Sequence, residues 1–253
     1  MTSSLDGRVA FISGAGHGIG KAAAIAMARL GATIGVNDLK EEFVQETVAA
    51  VEAAGGRAIP LAQDVSTREG MRAAVLRLAS EAGRLDIHVN NAAWVRYQPL
   101  AEITPEVMDR MVEIGFKSVI WGIQAAAEAM DAERGGSIIN VASIAAVRSP
   151  ARSVVYSGIK AGVVGITRAA AADLGARGIR VNAVAPGAVP TEGTAKHRNV
   201  ELDARRIART PLGRLGTVED IADAICFLAG DASRFVNADV IHLDGGASQT
   251  SLG

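Results

Sequence analysis

The run Val9-Ala10-Phe11-Ile12-Ser13-Gly14-Ala15-Gly16-His17-Gly18-Ile19-Gly20 limits what this chain can fold into more than any other stretch. Four unbroken apolar residues read as a buried strand, and Ile19, Ala23, Ala26 and Leu30 then recur at helical spacing. A strand, a glycine-rich turn and a helix in that order form a cradle for phosphate. The glycines let backbone N–H groups approach the anion, and the helix N-terminus adds its partial positive charge. Such turns also serve as plain strand-to-helix connections. Here, though, Asp38 follows Gly20 by 18 residues and closes the next apolar run, Thr33 to Asn37. A carboxylate at that place would meet the ribose hydroxyls of a dinucleotide. It could also cap the helix that begins near Glu41.

Apolar runs and helical stretches alternate to the end of the chain. The runs are Val9 to Ser13, Thr33 to Asn37, Ala58 to Ala62, Asp86 to Asn90, Ser137 to Val141, Arg180 to Val184 and Asp239 to Leu243. Near-continuous apolar strands separated by helices predict a parallel sheet covered on both faces. With 253 residues, 49% of them hydrophobic, the expectation is one α/β domain over residues 1–253, doubly wound and Rossmann-like, with about seven strands. Pro60 sits inside the third run and cannot donate a ladder hydrogen bond, so that strand belongs at an edge. The order 3-2-1-4-5-6 puts it there. Ligands of such sheets bind at the carboxyl ends of strands, and Gly14, Asp38, Asp64, Asn91, Ser143 and Pro186 all fall at or just past strand ends.

Tyr156 and Lys160 stand four apart on one helical face, 13 and 17 residues beyond Ser143. An ammonium under a phenol favours the phenolate and lowers a pKa that is ordinarily about 10. A tyrosine tuned in this way can exchange a proton with an alcohol oxygen near neutral pH.

Five motifs in order resemble those of the short-chain dehydrogenase/reductase family, over nearly the full length. They are the turn Ser13 to Gly20, Asp64-Val65, Asn90-Asn91-Ala92-Ala93, the set Ser143, Tyr156 and Lys160, and Pro186-Gly187-Ala-Val-Pro-Thr191. The resemblance implies hydride transfer between a nicotinamide cofactor and a secondary alcohol or ketone. Ser143 would hold the substrate oxygen, Tyr156 would be the acid or base, and Lys160 would tune the tyrosine and hold the nicotinamide ribose. It places Gly14, His17, Gly18 and Ile19 at the phosphates, Asp38 and Leu39 at the adenosine ribose, and Asp64 and Val65 at the adenine. Asn91, Ala92, Pro186, Gly187, Val189 and Thr191, with Tyr156 and Lys160, complete the cofactor site. Family members that use NADP carry a basic residue in the turn or just past the second strand. Here those places hold His17 and Leu39, with Lys40 one step on, so NAD is expected rather than NADP. The resemblance also implies a homotetramer or homodimer, and a variable substrate loop near 188–212.

That loop holds Lys196, His197, Arg198, Arg205, Arg206 and Arg209, while Arg148 and Arg152 lie between Ser143 and Tyr156, and Trp94, Arg96 and Tyr97 follow the fourth strand. One of these cations could meet an anionic substrate group. The favoured expectation is a solvated face whose charges pair with Glu192, Glu201 and Asp203. The four histidines, His17, His88, His197 and His242, have no partner at metal-ligand spacing, so no catalytic metal is expected, and His88 and His242 read as satisfied sheet residues. Cys226, the single cysteine, reads as buried on a helix. A net charge of −1 implies no bulk attraction to nucleic acid or anionic membrane. No apolar run approaches the roughly 20 residues of a bilayer span, and the N-terminus lacks the pattern of a secretory leader, so a cytoplasmic enzyme is expected.

Three positions depart from the family pattern. Ser13 replaces threonine and Ala93 replaces glycine, both mild changes. Gly115 stands where the family has an asparagine that holds a water linking the lysine to solvent, so an impaired proton relay is expected. The alternatives to an NAD-dependent alcohol dehydrogenase are an NADP-dependent 3-oxoacyl thioester reductase and a catalytically impaired NAD-binding protein.

Overall fold

In the computed structural model, which describes residues 4–192 and 199–250, seven strands form one parallel sheet. They are β1 (Val9–Ile12), β2 (Thr33–Asp38), β3 (Arg57–Ala62), β4 (Ile87–Asn90), β5 (Gly136–Val141), β6 (Ile179–Pro186) and β7 (Val240–Leu243). Their order is β3-β2-β1-β4-β5-β6-β7, with the switch point between β1 and β4. Each predicted run lies within two residues of its strand. Pro60 pairs with Val36 on edge strand β3, where its missing N–H faces no further strand.

The helices are α1 (Gly18–Arg29), α2 (Glu41–Ala53), α3 (Arg68–Ala82), α4 (Pro105–Val112), α5 (Ser118–Ala129), α6 (Val154–Leu174), α7 (Val200–Ala208) and α8 (Val218–Ala229). Along β1, side chains alternate between the two faces of the sheet. Ala10 and Ile12 join α1, α2 and α8 in one core, while Val9 and Phe11 join α3, α5 and α6 in the other. Phe11, Ile12, Ile34, Ile87, Ile138 and Ile139 are fully buried, each contributing about 1.5–3 kcal/mol. Among the described residues no helix is long and apolar enough to cross a membrane.

The stretch from Thr104 to Glu133, which reads in the sequence as one long helix, is broken. Thr104 caps α4, its hydroxyl accepting from the Val107 N–H, and Pro105 starts it. A wide π turn over Glu113–Lys117 then separates α4 from α5, and the helix ends at Ala129, before the extended Met130. Gly115 is the physical reason for the break's location: glycine costs a regular helix roughly 1 kcal/mol relative to alanine, and here it is buried against α6. The Ser118 hydroxyl donates to the Ile114 carbonyl at 2.6 Å, taking up an acceptor inside the turn.

A buried polar chain crosses the sheet beneath the site. Asn90 accepts at 2.9 Å from His88 Nε2 and donates to Asn140, which donates to Thr167 on α6. Gly122 lets α5 close on this chain, since a Cβ there would lie 2.1 Å from Asn90 Oδ1. The expectation that His88 is satisfied holds for one nitrogen only: Nδ1 has no partner. Burial pulls the ring down to about 4, so it is neutral at physiological pH.

Candidate active site

The glycine turn is shaped by close approach. Gly14 has φ +61°, and a Cβ there would meet the Ala92 backbone at 2.9 Å. A Cβ on Gly16 would lie 2.7 Å from an Asp38 carboxylate oxygen, and one on Gly20 would lie 2.4 Å from the Gly14 carbonyl. Only glycine fits at these positions, leaving backbone exposed at the start of α1, as an anion cradle requires. The residues present therefore suit a dinucleotide. Ser13 retains what the family's threonine would supply. Its hydroxyl accepts from the N–H groups of Asn91 and Ala92 at 3.0 and 3.1 Å and donates to the Val89 carbonyl. The Asn91 amide donates to the carbonyls of Ser13 and Gly14, both at 2.9 Å. The Asn91 side chain thus fixes the turn, and Ser13 and Asn91 together lock the ends of β1 and β4.

Asp38 faces this turn. One carboxylate oxygen accepts from the Gly16 N–H at 3.2 Å and the other from the Leu39 N–H at 2.8 Å. Lys40, not Asp38, occupies the N-cap of α2. His17 is exposed at the N-cap of α1, its Nδ1 3.9 Å from Asp38 and its ring 5.7 Å from Phe43. Leu39 is exposed, and Ile19 packs partly against the core. Asp64 lies at the surface and accepts from the Ser66 N–H, whereas Val65 is a core residue, so only its backbone is available to a ligand. At the end of β6, Gly187 abuts Asp244, Val189 packs against the core, and Thr191 reaches the turn, 3.3 Å from where a Gly18 Cβ would lie.

Ser143, Tyr156 and Lys160 come together beside the end of β5. The Ser143 hydroxyl accepts from the Ala145 N–H at 3.1 Å, which leaves its own proton free, and it faces the same cavity as the Tyr156 phenol. Lys160 is buried and donates to the Val141 carbonyl at 2.7 Å. Its Nζ lies 5.8 Å from the Tyr156 ring centroid. The expected lowering of the phenol by this lysine is not what the arrangement gives. Burial raises Tyr156 above its ordinary value, and the neighbouring Ser143 hydroxyl only partly offsets that. Burial likewise brings Lys160 down to about 8. Both groups lose water when charged, and the ammonium donates to a carbonyl while it stands near the phenol ring.

Ser143 and Tyr156 open onto a cavity of about 860 Å³, walled further by Tyr97, Arg148, Arg206 and Arg209 and by residues 242–247. Tyr97 stands edge-on to Tyr156, with centroids 5.6 Å apart. It was noted in the sequence only as following the fourth strand. Nothing local marked it as a wall residue. Arg152 is exposed at φ +67°, and its carbonyl accepts from the Gln98 N–H at 2.9 Å, tying the loop that carries Tyr97 to the entry of α6. His242 lies in β7, as expected of a sheet residue, and lines the cavity. Trp94 lies 4.4 Å beneath the Arg110 guanidinium.

The loop cations pair only in part as expected. Arg205 binds Glu201 at 2.5 Å and Arg206 binds Asp203 at 3.3 Å, but Arg209 makes no ion pair or side-chain hydrogen bond among the described residues. Lys196, His197 and Arg198 lie outside the described residues. Cys226 is buried as expected, its thiol pushed up to about 12. Ile159 Cγ2 would lie 3.1 Å from a Cβ on Gly115, so an amide there has to displace an α6 side chain.

A family model described as enoyl-(acyl carrier protein) reductase matches residues 14–248. A 3-oxoacyl-acyl-carrier-protein reductase of Thermotoga maritima is 36% identical, over 96% of this chain and 98% of its own. Among solved structures, a 7α-hydroxysteroid dehydrogenase in complex with NADH and 7-oxo-glycochenodeoxycholic acid superposes with a TM-score of 0.93 at 32% identity, covering 98% of this chain and 97% of the other. A protein of Agrobacterium tumefaciens described as a 2-deoxy-D-gluconate 3-dehydrogenase, with NADP bound, superposes with a TM-score of 0.86 at 33% identity, covering 96% and 97%. With sheet order, glycine turn and near-full-length similarity in agreement, this oxidoreductase chain belongs to the short-chain dehydrogenase/reductase family.

Proposed function

We propose that this protein interconverts a small secondary alcohol and its ketone with NAD as cofactor. The observation that carries the reading is that Ser143 and Tyr156 share the wall of one cavity, with the buried Lys160 ammonium 5.8 Å from the Tyr156 ring centroid. When bound, the nicotinamide supplies or takes up the hydride. The Gly14–Gly20 turn and the Pro186–Thr191 segment would hold it, with Asp38 on the ribose hydroxyls. Tyr156 removes the alcohol proton in oxidation and returns it in reduction. Ser143 donates to the substrate oxygen and keeps it beside the phenol, a positioning role that the Ala145 N–H supports by fixing the hydroxyl. Lys160 places positive charge next to the phenolate as it forms and anchors α6 to β5 through Val141.

Two features favour NAD over NADP. The Asp38 carboxylate would repel a 2′-phosphate, and Lys40 is drawn to Glu42 at 3.5 Å and over the Phe43 ring. Kinship with a 3-oxoacyl thioester reductase favours the NADP-dependent thioester reduction as the second reading. Assembly as a homotetramer or homodimer is proposed on the family likeness, and light scattering tests it. The decisive experiment for the chemistry is Tyr156→Phe, assayed on alcohols and ketones with NAD and NADP. It keeps the packing and deletes the proton-transfer group, so turnover should fall roughly 10²–10⁴-fold or more while NAD still binds. Retention of most of kcat would remove Tyr156 from the mechanism.

A further inference from the structure

The cavity beside Tyr156 carries more positive charge than its own carboxylates balance. Arg206 is paired with Asp203, and Arg214 donates to both oxygens of Asp220, at 2.6 and 2.9 Å. Asp244 is used by the N–H groups of Gly246 and Ser248. Two guanidiniums on the same walls remain without a carboxylate. Arg148 donates to the neutral Ala247 carbonyl, and Arg209 has no side-chain partner among the described residues. Unpaired guanidiniums facing a partly enclosed volume are poised for a planar anion, which they bind in forked geometry.

We infer that the substrate of this site is a hydroxy acid or oxo acid whose carboxylate is met by Arg148 and Arg209 while its carbinol or carbonyl carbon lies at Tyr156. This rests on the oxidoreductase reading of Ser143 and Tyr156. The two arginines come from different segments, one between β5 and α6 and the other just past α7, so the pair is assembled by the fold on the walls of one cavity. They share one cavity with Tyr156, which places the anion on the reacting molecule itself. A carrier-bound thioester would hold its phosphates at the end of a pantetheine arm, away from a cavity already filled by the reacting carbonyl. Tyr97 supplies the intervening apolar wall, resting on Tyr156 and lying within electrostatic reach of Arg206.

The test is a panel of secondary hydroxy acids of four to seven carbons, each with its methyl ester and the matching unsubstituted alcohol. Initial rates are measured with NAD on the wild type, Arg148→Gln, Arg209→Gln and the double variant. The acids should exceed their esters in kcat/KM by about 100-fold or more, since two such contacts multiply. Each single variant should cut that advantage roughly 10- to 100-fold, the range of one charge-assisted hydrogen bond, with the change carried by KM. Acids and esters turned over equally well by the wild type, or an acid-to-ester ratio unmoved in the double variant, would overturn the carboxylate assignment and leave the alcohol dehydrogenase reading standing. Failure of the wild type on acids, esters and alcohols alike, with NAD and NADP, would overturn the reading on which both rest.

Discussion

Lys160→Met should make the protein inactive without making it less stable, and the pH dependence of that comparison follows from the structure. The Lys160 ammonium falls from 10.5 to about 8 on burial. At pH 7 the folded state therefore carries the charge at a cost of about 3 kcal/mol, taking about 1.36 kcal/mol per pH unit. Methionine has nearly the same length and no charge, so this cost disappears. The loss is the donor to Val141, and a buried carbonyl left unpaired costs about 1–3 kcal/mol. The variant should thus be as stable as the wild type at pH 7 or up to about 2 kcal/mol more so. Between pH 8 and 10.5 the unfolded chain binds a proton that the folded chain has released. Wild-type stability from this group therefore rises with pH across that window, and by pH 9.5 the cost has shrunk to less than half. The variant's relative stability should fall by about 2 kcal/mol between pH 7 and pH 9.5. Urea unfolding followed by Trp94 and Trp121 fluorescence, at one fixed protein concentration, measures the difference. A gap that stays constant or widens with pH would refute the idea that burial, rather than a charged partner, sets the state of Lys160.

Asp38→Ala should erode the preference for NAD, because it removes carboxylate repulsion of a 2′-phosphate and hydrogen bonds worth about 1.5–3 kcal/mol each to the ribose hydroxyls; a wild type that uses NADP equally well would contradict the role given to Asp38. Ser13→Ala leaves the N–H groups of Asn91 and Ala92 without their acceptor and should cost about 1–3 kcal/mol in thermal or urea unfolding, whereas Ser13→Thr keeps the hydroxyl and should stay near wild type. Gly115→Asn alone should lower stability by about 1–3 kcal/mol through crowding of Ile159. Combined with Ile159→Ala it gains room for the amide, and a kcat for alcohol oxidation that then rises most at low pH would identify a limiting proton relay. An unchanged kcat would show that the relay does not limit the rate.

The sheet was legible because its signals are local. Val9 to Ile12 declares a buried strand by composition, Gly14 to Gly20 declares a turn that side chains cannot enter, and Pro60 excludes its strand from the sheet interior by lacking one N–H. Tyr156 and Lys160 share a face because the helix repeats every 3.6 residues. The break at Glu113–Lys117 was legible only as an irregular turn implied at Gly115 by the family likeness, since a glycine in a helical pattern marks a weak point without saying how packing will exploit it. Four other features were decided only by the tertiary structure. Asn91 turns back to hold the glycine turn, and Tyr97 comes to stand against Tyr156. Lys160 donates to the Val141 carbonyl. Arg206 finds Asp203 while Arg209, three residues on, finds no partner among the described residues. Each of these depends on which distant segment supplies the neighbour and on how much water the meeting excludes. Hydrophobic period and backbone freedom are properties of a short stretch of chain. Charge pairing and proton affinity belong to the space between stretches, and only the folded arrangement of β4, β5, α6 and α7 determines them.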